Sequence, residues 1–517
     1  IRGPGSVIYG TNASAGVINI ITEQKEEAEL AFFLNDEGKR NSSVYASHTF
    51  DNDIHINVAF EVQQDEGYNY RLVNALEPSS IPPFFSETAQ GEFERKEEWQ
   101  SFLFNFGWQD FKVTGQTFTS EVLGDANGSL LSPTVFQNKG YLIDFAYTQT
   151  FEQGEINYLS QWNRFYREAD AEDLFKFFGS NEDGKINFDN NGKDNDRWRS
   201  SINVDYQLNE HLSILSGIEY EDRSTERQSF RDSSGGATLA LNGFPVQSDG
   251  GFLLLDEARI IERSAYLQVD YESDTWRYVI GARHVDSNYA GSDLSPRGAL
   301  IYKIDHNESL KLLYSEGFNS PTFSQIAAVD MFGMPVAQDI SAETVQTWEL
   351  AYTRMLDDLH QVLSFYHTEV NDLIESNMNS DKLIRRRGVE YDLQYHINPW
   401  RFYSSITYLY EGNSDDYDDQ ALYSSQWLYK FGGSYHHNKH QYGISLRGSS
   451  ERGTVGAYEL LNLHYKNEMS KHFELFSTVT NLLDDSIAQP DIRNMTGLVL
   501  ESQDGVSLIL GFNYTFK

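Results

Sequence analysis

The chain has 517 residues, no cysteine and a net charge of −37 from 40 basic and 77 acidic side chains. The lack of cysteine excludes disulfide scaffolds, thiolate metal sites and cysteine nucleophiles, and the acidic balance argues against nucleic acid as a partner. Mean hydropathy is −0.52, and no apolar run approaches the roughly 20 residues of a membrane helix. A helical membrane protein is therefore excluded, whereas a membrane β-barrel is not, because only alternate residues of its strands meet lipid.

The chain opens on a glycine-rich segment, residues 1–22, and then settles into alternating runs of the length expected of membrane strands. In one run Tyr141, Ile143 and Phe145 share a face, while Asp144 lies on the more mixed opposite face. We predict upward strands at 27–36, 54–64, 111–121, 154–168, 211–223, 275–285, 308–318, 360–372, 401–412, 440–449 and 475–487, and downward strands at 41–50, 97–108, 139–151, 197–208, 260–272, 295–303, 343–355, 384–397, 424–436, 456–466 and 505–516.

The connections between these runs sort by parity, as an outer-membrane barrel with short periplasmic turns and long outer loops requires. The short connections include 51–53, 109–110, 209–210, 273–274 and 398–400. The long connections include 65–96, 122–138, 169–196, 224–259, 319–342 and 488–504. A soluble β-sandwich has no reason to sort its loops in this way.

We therefore predict an all-β fold, a 22-stranded antiparallel transmembrane β-barrel. A sheet that spans lipid has to close, because each unpaired backbone group at an open edge costs several kcal/mol. A barrel of this size has a lumen wide enough to need a plug.

Several short motifs carry a family resemblance because they occur together and in order. They are Arg2-Gly3-Pro4, Tyr9-Gly10 and Gly16-Val17-Ile18-Asn19-Ile20 at the start, Ser295-Pro296-Arg297, Lys311 to Pro321, Glu343 with Thr347-Trp348-Glu349-Leu350, Gly388-Val389-Glu390 and Asn481-Leu482-Leu483-Asp484. On these motifs the chain resembles the TonB-dependent outer-membrane receptors.

The resemblance implies that residues 1–24 are the C-terminal end of a plug domain and that residues 25–517 form the receptor barrel. The plug residues it identifies are Arg2, Gly3, Pro4, Tyr9, Gly10, Gly16 and Asn19. The chain begins inside this motif, so we expect a longer protein whose N-terminal region contacts TonB. The implied location is the outer membrane of a Gram-negative bacterium, in contact with lipid and lipopolysaccharide, and the implied oligomeric state is a monomer.

The function implied is capture of a scarce extracellular ligand, a ferric siderophore by the family's common use, and its import with TonB-coupled energy. A cobalamin or haem receptor of the same class is the alternative, and the predicted outer loops lack the histidine expected of a haem receptor. A passive porin-like channel is the alternative from another class, and the plug motif argues against it. No catalytic constellation was found, so we do not expect an enzyme.

Candidate ligand contacts come from strand parity and from aromatic residues in the predicted outer loops. Arg386 falls on the lumenal face near the outer end of its strand, where it could contact an anionic ligand, the plug or Glu390. Tyr68, Tyr70 and Phe323 are the aromatic candidates, since aromatic walls suit large, partly apolar chelates.

Acidic residues of the predicted loop 169–196 are weak candidates for a structural Ca²⁺ site, because Ca²⁺ takes oxygen ligands. The candidates are Asp189, Asp194 and Asp196. The ligand pattern of an EF-hand is incomplete, since Trp198 stands where a glutamate is needed. A solvated acidic loop is therefore favoured, and no other cofactor is expected.

Overall fold

A computed structural model gives the structure of the chain. The residues it describes are 26–74, 91–126, 129–171, 188–231, 251–327, 340–375, 378–414, 424–452, 455–490, 498–502 and 505–516. Within these ranges no helix is both long enough and apolar enough to cross a membrane.

The described residues are organised almost entirely as strands. In chain order the strands are β1 (Ala28–Asn35), β2 (Arg40–Thr49), β3 (Ile54–Asn74), β4 (Gly91–Trp108), β5 (Phe111–Ala126), β6 (Ser129–Phe151), β7 (Gly154–Ala171), β8 (Phe188–Asn209), β9 (Leu212–Thr225), β10 (Gln228–Arg231), β11 (Gly251–Leu255), β12 (Ala258–Glu272), β13 (Trp276–Ser287), β14 (Gly291–Lys303), β15 (Glu308–Asn319), β16 (Glu343–Met355), β17 (Leu359–Asn371), β18 (Ile374–Glu375), β19 (Met378–Asn379), β20 (Ile384–Ile397), β21 (Trp400–Ser414), β22 (Trp427–His437), β23 (His440–Ser449), β24 (Tyr458–Glu468), β25 (Phe473–Thr480), β26 (Ala488–Pro490), β27 (Leu498–Ser502) and β28 (Ser507–Phe516). A single short helix among these residues, α1, covers Phe323–Ile326.

Twenty-two of these strands close into one antiparallel barrel, which confirms the predicted fold. Each barrel strand pairs with its neighbours in the chain, and the ring closes where β1 pairs with β28, with Ala28 opposite Phe516 and Leu34 opposite Leu510. Short strands stand outside the ring: β10 with β11, β18 with β19, and β26 with β27. Closure gives the backbone groups of the wall a partner strand on both sides, as a lipid environment demands.

The two faces of the wall differ as the alternation predicts. In β6 the side chains of Tyr141, Ile143 and Phe145 are exposed outward, at 46%, 50% and 39%, whereas Leu142 and Asp144 lie half-buried on the lumenal face. The same alternation places charged side chains of other strands inside the lumen. Outward apolar residues are stabilised by lipid, so this face needs no protein partner.

The two ends of the barrel also differ. At one end all connections are short, for example 109–110, 152–153, 398–399 and 438–439, and we call this the short-turn end. At the other, the long-loop end, β9 and β12 are separated by residues 226–257. This sorting by parity is the predicted one.

Several predicted strand boundaries were wrong at the long-loop end. Residues 65–74 and 91–96 belong to β3 and β4 rather than to a loop, and most of 122–138 continues β5 and β6. Likewise, β27 lies inside the predicted loop 488–504 and pairs with β3. Hydrogen-bonded pairing continues past the membrane, where water contacts both faces and the apolar alternation that marks a strand is lost.

The Asp36 side chain forms hydrogen bonds with the closing strand, β28, at the long-loop end. Its carboxylate accepts hydrogen bonds from the Leu508 backbone N–H at 2.9 Å and from the Ser507 hydroxyl at 2.7 Å. These bonds lower the pKa of Asp36, because they favour the ionised carboxylate.

We expect Asp36→Asn to be less stable than the wild-type protein at neutral pH. Because the folded pKa of Asp36 is lowered, its contribution is present above the unfolded pKa and is lost as the pH falls through the folded pKa. Urea unfolding of the folded protein in detergent at decreasing pH measures this. The difference in the free energy of unfolding between the wild-type protein and Asp36→Asn should become smaller in acid. A difference that does not change with pH would show that the ionised Asp36 carboxylate does not stabilise the closing strand.

Candidate functional site

A cavity of about 910 Å³ lies against the lumenal wall formed by β16, β17 and β20 to β24, near the long-loop end. The charged residues that line it are Arg386, Lys430, Arg447, Arg452, Glu349 and Glu390. Its volume is in the range of small-molecule sites in proteins.

Arg386 lies on the lumenal face of β20, as the sequence predicts. It precedes Gly388 on that face, and the Tyr366 side chain packs over this glycine, with its hydroxyl in the space that a Cβ would need. The Nη1 atom of Arg386 is buried and has no hydrogen-bond partner among the described residues. The possible partner Glu390 instead accepts a hydrogen bond from the Thr407 hydroxyl at 3.3 Å. A buried guanidinium nitrogen that lacks an acceptor is suited to bind an added anion.

A network of arginines and glutamates covers the lumenal wall of β8, β9, β12 and β13. Arg283 donates to Glu219 at 2.6 Å, and Arg199 also pairs with Glu219. Further contacts of this network are Arg197 with Glu221 at 2.7 Å, Arg223 with Glu221 at 3.1 Å and Arg223 with Glu262 at 3.0 Å. Each arginine of this network forms an ion pair with a glutamate of the wall, although Arg197, Arg223 and Arg283 also have buried nitrogens without a hydrogen-bond partner among the described residues. Arg386 forms no ion pair within the described part of the chain.

The segment after β15 folds inward against the lumenal wall instead of extending away from it. The Ser320 hydroxyl donates to Glu262, and Pro321 is fully buried. Helix α1 follows, and its Ile326 packs in an apolar cluster with Ile260 of β12.

Phe323 belongs to this inward segment and packs, partly buried, against the same apolar cluster. This packing gives Phe323 a structural role, and its contact with a ligand stays a prediction. Tyr68 and Tyr70 lie on β3, with Arg95 and Phe93 as their partners on β4, and not in a loop as predicted. The orientation of both tyrosine side chains lies outside the described part of the structure.

The three calcium candidates lie on an extended strand, β8, rather than in the predicted loop. Asp196 is held by Arg164, whose Nε and Nη2 each donate to one carboxylate oxygen at 2.8 Å. Asp189 and Asp194 occur on the same strand, but their side chains are outside the described residues. Because both oxygens of Asp196 bind an arginine, they are poorly placed to bind Ca²⁺ as well.

The outward arginines of β20 also have protein partners. Arg385 donates to Glu369 at 3.3 Å and Arg387 donates to Nδ1 of His367 at 3.0 Å. Their contact with lipopolysaccharide stays a prediction. The residues identified as plug motif, from Arg2 to Asn19, lie outside the described residues.

The chain matches a known protein family. Residues 98–482, well over half of the chain, match the family described as TonB dependent receptor-like, beta-barrel. A vitamin B12 transporter, BtuB, of Vibrio cholerae serotype O1 is 20% identical over 409 residues, which cover 76% of this chain and 58% of the transporter. The chain thus spans about 58% of the length of the curated relatives it matches.

Solved structures share the fold over the whole chain. The siderophore receptor PirA from Acinetobacter baumannii superposes with a TM-score of 0.75 at 15% identity, covering 100% of this chain and 84% of that receptor. A double mutant of the ferric enterobactin receptor PfeA from Pseudomonas aeruginosa superposes with a TM-score of 0.78 at 13% identity, with the same coverage. The closed 22-stranded barrel and the family match together show that the chain belongs to the TonB-dependent receptor β-barrel family, whose members lie in the outer membrane of Gram-negative bacteria.

Proposed function

We propose that the protein is an active-transport receptor that binds a ferric siderophore outside the cell and imports it into the periplasm. The observation that carries this proposal is the charged, ligand-sized cavity of about 910 Å³ on the lumenal wall near the long-loop end. A receptor needs such a site inside its barrel, whereas a passive channel needs only an open path.

Transport through so wide a barrel requires a plug and an energy source. We propose that residues 1–24 form the C-terminal end of the plug and that residues 25–517 form the barrel around it. Plug rearrangement would be driven through TonB by the inner-membrane proton gradient, because the periplasm offers no ATP. We infer a monomer, because one chain closes the barrel by itself.

A cobalamin receptor is the second candidate. It is favoured by the vitamin B12 transporters that match 76% of this chain. Haem is disfavoured, because the predicted outer loops contain no histidine.

Import that requires TonB is the test of this function. Cells that carry the full-length gene should accumulate radiolabelled iron from a ferric siderophore, and deletion of the gene or of tonB should abolish that uptake. Transcript from the gene should rise when an iron chelator is added to the medium. Uptake of labelled cobalamin instead would establish the second candidate, and steady ion conductance without TonB would identify a passive channel.

A further inference from the structure

Two cations face each other on the lumenal side of the cavity. Lys430 of β22 is directly opposite Arg447 of β23 in the antiparallel ladder. On its other side Lys430 is opposite Ser405 of β21. Ser405 shares a face with Thr407, the partner of the lumenal Glu390. Lys430 therefore lies on the lumenal face. Like charges at directly opposed positions are destabilising, because their side chains start only about 5 Å apart.

The described residues contain no carboxylate that pairs with either cation. Neither Lys430 nor Arg447 forms a hydrogen bond or an ion pair with the part of the chain that the structure describes, although Glu349 and Glu390 line the same cavity. The buried Nη1 of Arg386 adds a third donor group without an acceptor. In a chain with a net charge of −37, four cationic side chains and two carboxylates of the described residues line this cavity. Lys430 and Arg447 are exposed to its interior, where an entering anion can reach them.

The position of the pair makes it accessible from outside the cell. Lys430 lies close to Trp427, where β22 begins at the long-loop end, and Arg447 lies close to Ser449, where β23 ends there. A second cavity, of about 840 Å³, lies at the short-turn end and is lined by His360, among other residues. The cation pair is therefore on the ligand-entry side of the lumen.

We propose that Arg386, Lys430 and Arg447 bind the imported ligand through its anionic oxygens, so that the substrate class is a negatively charged chelate. This inference rests on the proposed function and specifies its substrate. Bound carboxylate or catecholate oxygens between the cations convert repulsion into charge-assisted hydrogen bonds. Arg386 presents a planar guanidinium suited to two neighbouring oxygens, whereas Lys430 supplies a compact point charge.

The first test compares two iron chelates that differ in charge. Binding of a negatively charged ferric tris-catecholate and an uncharged ferric tris-hydroxamate to the full-length receptor is measured by quenching of tryptophan fluorescence. We expect the anionic chelate to bind more tightly, and Lys430→Gln or Arg447→Gln to weaken its binding by about tenfold or more. The control Lys471→Gln changes the same charge in the turn at the opposite end of the barrel and should have no effect. Equal binding by the wild-type receptor and both cavity variants would overturn the proposal.

A second measurement works without the natural ligand. Iron-free citrate, at constant ionic strength, should raise the Tm of the wild-type receptor and leave the Tm of the Lys430→Gln/Arg447→Gln double variant unchanged. If citrate binds in this way but neither ferric chelate does, the siderophore function fails while the anion site stands. If citrate has no effect on the wild-type Tm, the anion site is contradicted.

A carboxylate of the plug, rather than a ligand, could lie between the two cations. The Tm of the ligand-free receptor distinguishes these two arrangements. If no anion lies between Lys430 and Arg447 before ligand binds, Lys430→Gln removes the repulsion between the two cations. The Tm of the ligand-free variant is then equal to the wild-type Tm or higher. A lower Tm together with unchanged chelate affinity would show that the cations hold the plug, and the proposal would be wrong.

Discussion

Gly511→Ala is expected to destabilise the barrel at its closing seam. Gly511 of β28 pairs with Phe33 of β1 on one side and Phe476 of β25 on the other. An added Cβ would stand 2.3 Å from Cζ of Phe476 and 2.6 Å from the backbone oxygen of Phe32. The ring can turn, but the backbone oxygen belongs to the ladder that closes the barrel. We therefore expect a loss of about 1–3 kcal/mol, typical of an overpacked site.

Gly115→Ala is the matched control, because the same methyl group on β5 meets no atom within 4 Å. It should be neutral or slightly stabilising, since alanine restricts the unfolded chain. Urea unfolding in detergent and the heat-dependent shift of the folded barrel on gels measure both variants. Similar stability of the two variants would show that the seam has more space than the structure indicates.

The strands were predictable where lipid imposes a pattern. Ile143 and Phe145 are exposed apolar residues flanking the lumenal Asp144, and only a membrane wall makes that alternation stable. The extension of β3 to Asn74 was not predictable, because residues beyond the membrane have water on both faces. Backbone pairing, which sequence patterns do not report directly, determines where such a strand ends.

The cavity was partly predictable. Strand parity placed Arg386 in the lumen, because Val389 and Tyr391 further along β20 face lipid. The opposition of Lys430 and Arg447 was missed, although the short turn after His437 carries the information. The predicted strand 424–436 ends one residue too early, whereas the next strand begins at 440 as predicted. Pairing across the longer predicted turn would set Lys430 opposite Leu446, which lies on the other face.

The contacts of the arginine and glutamate network could not be predicted from the sequence, for a different reason. Glu219 on β9 contacts Arg199 on β8 and also Arg283 on β13, two strands away from β9. Alternation places each of these side chains on the lumenal face, but only the register of four strands together brings them into contact. Long-range pairing of this kind depends on the closed fold rather than on any local pattern.

Glu219→Gln is expected to cause a large loss of stability, because this carboxylate serves two arginines. The side chains of Glu219 and Arg283 are only 7% and 6% exposed, and their ion pair is 2.6 Å long. Removing one partner of a buried pair leaves the other charge poorly compensated, at a cost of about 3–5 kcal/mol. Urea unfolding of the folded receptor, followed by tryptophan fluorescence, measures the change.

Asp222→Asn, on the same strand, is the control for Glu219→Gln, because it removes one charge from an ion pair that is less buried. Asp222 pairs with Arg259 on the outer face, where the side chains are 13% and 63% exposed, and an ion pair with one water-exposed partner contributes less than a buried pair. The double variant Glu219→Gln/Arg283→Met should recover part of the stability lost in Glu219→Gln, because the buried charge left behind is removed as well. If Glu219→Gln and Asp222→Asn cost the same, or if the double variant is less stable than Glu219→Gln, the buried pair is not what holds this wall. The stability of the lumenal face would then rest on backbone pairing and on the outward apolar residues alone.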